Sequence, residues 1–276
     1  MDYWYGLRDT EKKVIKNKNS IRRIIYFSLS LLFIFFVGIF SAQSQQMPKM
    51  KTDTSSVKKE NMKDGQQQTM LPMPFFTHMG IPYNVGTYGL RLAVLPTLND
   101  GKENTEFNFQ LETGLSKTVG LFIGGEGLFD DPTLETMFQF LVWKSKNGMN
   151  GFSPIIEFEF PLGKESTRSV YTLVGIASTF SNSHVAFNQV LHYSPLEDLA
   201  EGSVSMLVKV SKQIFLVSEI SGVTEKGARP IFNLLGGIKF QLNKNFLIGF
   251  AYQLPLTTNR DYSSRYVFQP NMVFQK

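Results

Sequence analysis

From Gly86 to the end of the chain, segment after segment alternates large apolar side chains with small or polar ones at a period of two. That period belongs to a β-strand whose two faces meet different surroundings. In Ile231 to Leu242, Phe232, Leu234, Gly236, Ile238, Phe240 and Leu242 share one face, opposite Asn233, Gly237, Lys239 and Gln241. The next segment sets Phe246, Ile248, Phe250, Tyr252 and Leu254 against Gly249, Ala251 and Gln253, and the last sets Tyr266, Phe268, Pro270, Met272 and Phe274 against Gln269, Asn271 and Gln275. The same rule runs through Phe107 to Leu115, Phe152 to Leu162 and Val204 to Val210. A soluble sandwich also alternates. It seldom needs so many aromatics on the apolar face, and 25 phenylalanines in 276 residues favour a belt facing lipid. Strands that cross a bilayer must pair every backbone group, which only a closed barrel achieves.

The alternation predicts an all-β, closed antiparallel transmembrane barrel of about 12 strands, with 10 as the alternative. The strands fall near 86–97, 105–116, 118–129, 134–144, 152–162, 168–179, 184–192, 201–211, 213–223, 231–242, 245–255 and 265–275. The seventh of these and the Asp130–Asp131–Pro132 turn are the weakest parts of the pattern. Tight polar turns centre on Ser116–Lys117, Ser211–Lys212–Gln213 and Asn243–Lys244–Asn245, whereas longer connections run near Leu98 to Asn104, Thr224 to Pro230 and Pro255 to Ser264. An even strand count puts the three tight turns on one side together with both chain ends. Short turns cluster on the periplasmic side of such barrels.

Ahead of the barrel, residues 1–23 carry seven basic and three acidic side chains, and the 17 residues from Ile24 to Phe40 are uncharged. With the small pair Ser41–Ala42 they read as a signal peptide over 1–42, against the alternative of a single membrane anchor. That segment holds +4 of the formal +5, so the remaining 234 residues are almost neutral and give no reason to expect nucleic acid as a partner. The absence of cysteine excludes thiolate catalysis and thiolate metal sites. Residues 43–80 form a polar, Met-rich stretch that lacks the apolar content to offset ordering, and they are expected to be a flexible periplasmic lead, open to a periplasmic partner. Its end, MLPMPFFTHMG, carries prolines that disfavour helix and an aromatic pair able to pack on the barrel rim or enter the lumen. The barrel itself is assigned to 81–276, in an outer membrane whose lipid and lipopolysaccharide are its surroundings.

On the strand phases, Arg91, Glu112, Glu126, Glu157, Glu159, Lys209, Glu219 and Lys239 point inward and line the lumen, five acids against three bases. So many inward charges need water or partners. Either they line a narrow aqueous route for small solutes, or they pair across the lumen and, with the N-terminal peptide, close it. A 12-stranded barrel is narrower than the general porins of 16 to 18 strands. Other candidates are weaker. Met70, Met73, His78 and Met79 offer soft ligands of the kind copper takes, yet thioethers serve equally as adaptable packing groups. His192 and Ser194 share a strand face, where an imidazole can activate a hydroxyl. The pair resembles the His-x-Ser of the outer-membrane phospholipases, but Met206 stands at the spacing where that family places its orienting Asn, and the alternative is a pair of rim residues on an extracellular loop. Asp130–Asp131 and Glu197–Asp198 read as solvated turns. No catalytic residue and no cofactor is assigned.

The stretch MPFFTHMGIPYNVGTYGLRLAV, leading straight into the first strand, resembles the outer-membrane channel family associated with the meta-pathway of phenol degradation. The hairpins LSKTVGLFIGGEGLF and LNKNFLIGFAYQLPL have the same character, so the likeness covers roughly 70–276. It implies passive solute passage or an accessory role in export or metal handling, and it transfers no catalytic residue.

Overall fold

The computed structural model describes residues 71–99, 102–128, 132–162, 170–258 and 262–276. The strands are β1 (Thr87–Asn99), β2 (Lys102–Gly114), β3 (Val119–Glu126), β4 (Thr133–Phe140), β5 (Trp143–Lys144), β6 (Gly151–Pro161) and β7 (Tyr171–Ser181). They continue with β8 (Val185–Ser194), β9 (Leu199–Lys209), β10 (Ile214–Glu225), β11 (Ile231–Asn243), β12 (Phe246–Pro255) and β13 (Ser264–Gln275). Each pairs antiparallel with its neighbour, β4 pairs with β6, and β1 closes on β13 with Thr87 opposite Gln275. The two-residue β5 prolongs β4 along β6. The register slips by one between Gln139↔Ile155 and Trp143↔Phe152, a bulge at Leu141–Val142. The fold is a closed antiparallel barrel of 12 strands.

The side chains are arranged inside out relative to a soluble barrel. Val174, Met206, Leu216, Ile220, Phe250 and Tyr252 stand exposed on the outer face, while Arg91, Glu157, Glu219 and Lys239 are buried inside. Outward aromatics pair across strands, with Phe250 and Phe268 centroids 5.1 Å apart and those of Tyr252 and Tyr266 5.0 Å apart. This is the arrangement lipid outside and polar matter inside require.

The tight turns at 116, 212 and 244 fall on the side where Thr87 and Gln275 meet, as the even strand count demands. We call this the short-turn end. Several boundaries differ from those expected. The connection placed at Leu98 to Asn104 is largely strand, since Leu98 pairs with Glu103 and Asn99 with Lys102, so β1 and β2 form a tall hairpin. Its polar residues conceal the alternation, but backbone pairing does not depend on apolar side chains. β10 likewise runs on through Thr224 and Glu225, paired to Ala200 and Leu199. The doubtful seventh strand exists as β8, fully paired on both sides. Residues 1–70, including the signal-peptide reading, Met70 and most of the lead, lie outside the described residues, as do Asp130 and Asp131.

Candidate functional site

The lumen divides into two halves. The short-turn half is filled by residues 71–83, which run through the barrel interior before the chain reaches β1. Residues 71–80, assigned in the sequence to a flexible lead, are thus a packed strap. The reason is chemical: a segment with prolines and few partners of its own leaves its backbone groups free, and the barrel wall supplies side chains to meet them.

Three inward charges do most of this. Glu219 on β10 accepts hydrogen bonds from Phe75 N, from Phe76 N at 3.0 Å, and from Thr77 N and Thr77 Oγ1 at 3.1 Å each. Three successive amides aimed at one carboxylate neutralise it as a cation would. Lys239 on β11, 0% exposed, donates through Nζ to Met73 O at 2.7 Å, Pro74 O at 2.8 Å and Gln269 Oε1 at 2.9 Å. The ammonium also lies 4.4 Å from the Phe75 ring centroid. Arg91 on β1 donates through Nη1 to Phe75 O at 3.3 Å and through Nη2 to Glu112 Oε1 at 2.6 Å. Neutral groups continue the pattern toward Gly80: Gln139 Nε2 donates to Met79 O at 2.7 Å, Ser153 Oγ donates to Gly80 O at 2.8 Å, and Gly80 N donates to Thr179 Oγ1 at 2.8 Å.

Glycines on the wall make room for the strap. A Cβ at Gly237 or Gly249 would stand 2.7 Å from the Phe75 ring, one at Gly120 would strike Pro82, and Cβ atoms at Gly89 and Gly114 would strike Tyr83. Leu71 and Phe75 complete an internal apolar core with Leu95, Leu207, Phe215 and Leu235. The interior is therefore partly hydrophobic, where the alternation implies only a polar one, because the strap gives those inward residues something dry to pack against. His78 packs edge-on against Phe122 at 4.7 Å, Met79 is buried, and Met73 Sδ accepts a hydrogen bond from Tyr83 at 3.3 Å. Burial, with Arg91 nearby, holds the His78 imidazole well below its ordinary value, so it is neutral at pH 7.

The other half of the lumen, toward the long connections, is acidic. Glu126 on β3, Glu135 on β4, Glu157 and Glu159 on β6 and Glu201 on β9 share the inward face, with Glu135 and Glu159 directly opposite in the β4–β6 register. They lie within electrostatic reach of one another. Among the described residues none of the five forms an ion pair with lysine or arginine. Arg265 lies within electrostatic reach of Glu126 but donates its hydrogen bonds to Glu106 Oε1 at 2.9 Å and Thr97 Oγ1 at 3.0 Å, beneath the Tyr262 ring. Glu126 is exposed, and Glu135, Glu159 and Glu201 are half-buried, so solvent reaches this vestibule.

His192 lies deeper on the same wall. Its Nδ1 is 3.0 Å from Glu157 Oε2, reached across β7 where Gly175 has no side chain to obstruct the ring. Its Nε2 and the buried Ser194 Oγ have no partner. Both residues are on β8 and face inward, not on an extracellular loop, and β8 ends at Ser194, just before Pro195.

Of the eight lumen-lining candidates, Arg91, Glu112, Glu219 and Lys239 converge on the strap, and Glu126, Glu157 and Glu159 belong to the vestibule. Lys209 sits apart, half-buried on the lumen face at the foot of β9. Glu135, Glu201, Gln139, Ser153, Thr179 and Gln269 escaped notice as site residues. Strict counting by twos from Met137 and Leu207 would have put both acids inside.

No protein-family model and no curated protein matches the chain. Among solved structures, the KdgM porin superposes with a TM-score of 0.51 at 8% identity over 68% of this chain and 99% of that one, and the NanC porin with 0.50 at 6% over the same shares. An outer-membrane channel from Pseudomonas putida F1 gives 0.51 at 10%, covering 76% of this chain and 99% of that one. This is the fold of outer-membrane porins. At these identities the likeness extends to the fold alone. The KdgM porin has also been solved with disordered oligogalacturonate.

Proposed function

We propose that this protein is an outer-membrane channel for small solutes whose short-turn end is held shut by its own residues 71–83. The observation that carries this reading is the division of the lumen: a solvent-reached charged vestibule on one side and a strap tied mainly by side chains, through reversible polar contacts, on the other. The strap's anchors are the Glu219, Lys239 and Arg91 groups. A porin fold, an apolar outer face and short turns gathered beside the chain ends support a place in the bacterial outer membrane, among lipid and lipopolysaccharide, with the strap on the periplasmic side. The reading is non-enzymatic. It agrees with the resemblance to the channel family associated with the meta-pathway of phenol degradation. Oligogalacturonate, the molecule held by the KdgM porin, is a polyanion, and the acidic vestibule here favours solutes of the opposite charge.

A second reading, a structural or accessory barrel with a permanently filled lumen, is favoured by the number of bonds holding the strap. In that case a periplasmic partner of residues 43–80 would act on the closed protein. A lipid hydrolase built on His192 and Ser194 fits less well, since both face the lumen and membrane lipid meets the opposite face.

Planar-bilayer conductance of refolded full-length protein, beside a Glu219→Gln/Lys239→Met double variant and a form lacking residues 43–83, separates the first two. The channel reading expects closed or briefly opening wild-type protein and stable openings in both altered forms. Silence in all three would leave the filled barrel.

A further inference from the structure

Of the five vestibule carboxylates only Glu126 feels a described basic side chain, Arg265, and the other four face acids alone, although like charges placed opposite each other across a sheet repel. Acids alone are no site. Here a second, independent feature lies on the same wall: His192, more than nine-tenths buried, sets Nδ1 3.0 Å from Glu157 Oε2, and both that oxygen and His192 Nε2 are buried without a hydrogen-bond partner. The carboxylate oxygen is an acceptor, and a buried acceptor without a donor carries a desolvation penalty. Glu201 is the register partner of His192 on the same inward face. What is missing from this wall is a donor that also brings positive charge.

We infer that the vestibule wall formed by Glu135, Glu157, Glu159, Glu201 and His192 binds a linear organic polycation, one ammonium group donating to Glu157 Oε2 beside His192 and Glu201 and a second lying between Glu135 and Glu159. Among the described residues no three His, Asp or Glu side chains converge closely enough to hold a single metal ion. The acids are strung along the wall instead. Glu157 and Glu159 are two residues apart on one strand, a rise of about 7 Å. A four-carbon link between ammonium groups comes close to that spacing, and a compact divalent ion does not. The inference names a solute class for the proposed channel and rests on that reading of the vestibule. Binding is nonetheless measured on the closed protein, and conduction on the strap variants, so either can fail without the other.

The probe is spermidine, titrated calorimetrically into detergent-solubilised full-length protein at low salt. The heat-induced gel shift of barrels confirms folding of each variant. Saturable binding is expected, weakened at least tenfold in Glu159→Gln/Glu201→Gln and at least threefold in His192→Phe, and resistant to magnesium at equal concentration. Glu201→Gln alone, an isosteric change that relieves repulsion, serves if the histidine variant does not fold, with at least a threefold loss expected. The inference is overturned by absence of saturable binding, by equal affinity in the glutamate variants, or by displacement with equimolar magnesium. It is also overturned if His192→Phe binds as tightly as wild type, since that would reduce the site to a diffuse negative field.

Discussion

In the short-turn half of the lumen Glu219, Lys239 and Arg91 each meet partners on the strap, whereas in the long-connection half Glu126, Glu135, Glu157, Glu159 and Glu201 mainly face one another. The same residue types on the same alternating face thus have opposite energetics. A buried charge whose hydrogen-bonding capacity is filled holds structure together, and its removal exposes the groups it satisfied. A hydrated, unpaired carboxylate in a crowd of carboxylates costs the fold something, and its neutralisation relieves that cost. Architecture and gating belong to the first half, and recognition to the second.

The comparison can be broken most directly at Glu219. Replacing it with alanine leaves three strap amides without their acceptor, and a loss of about 3–5 kcal/mol is expected, read as a lower unfolding midpoint in urea. A loss under about 1 kcal/mol would mean that the strap is not anchored as described.

Acid should act on the same half through His78. Its folded value lies below the ordinary 6.5, so the folded state prefers the neutral ring, and the contribution is complete above about 6.5 and lost as pH falls below it. Stability should decline from this group as pH falls from 6 to 5, with a slope of at most about 1.4 kcal/mol per pH unit. His78→Gln should flatten that slope in a urea series, and an unchanged slope would place the acid sensitivity elsewhere.

The smallest effect is expected in the vestibule. Glu159→Gln should leave stability unchanged or raise it by up to about 1 kcal/mol, because it removes a like charge opposite Glu135. Destabilisation comparable to that of Glu219→Ala would erase the distinction between the halves.

Much of the barrel is legible in the sequence. Phe246, Ile248, Phe250, Tyr252 and Leu254 announce both a strand and its lipid-facing side, because a two-residue period needs only local sequence to be seen. The inward phase of Glu219 and Lys239 follows from the same count. The tall β1–β2 hairpin was not legible, as its upper rungs carry polar residues on both faces. Nor were the glycines at 237 and 249 readable as a slot for Phe75, since nothing in a strand pattern tells what lies across the lumen.

The sequence by itself determined that the chain forms a closed antiparallel sheet with an apolar exterior and a charged interior, since alternation, turn placement and strand parity are local or countable. Which inward charges are satisfied and which stand bare was decided only by the tertiary structure. Lys239 and Glu159 are both inward charged residues in alternating segments. One meets the carbonyls of Met73 and Pro74, more than 160 positions away in the chain. The other meets Glu135 across the β4–β6 pairing. Electrostatic energy depends on distance in space, and only closing the barrel around the strap sets those distances.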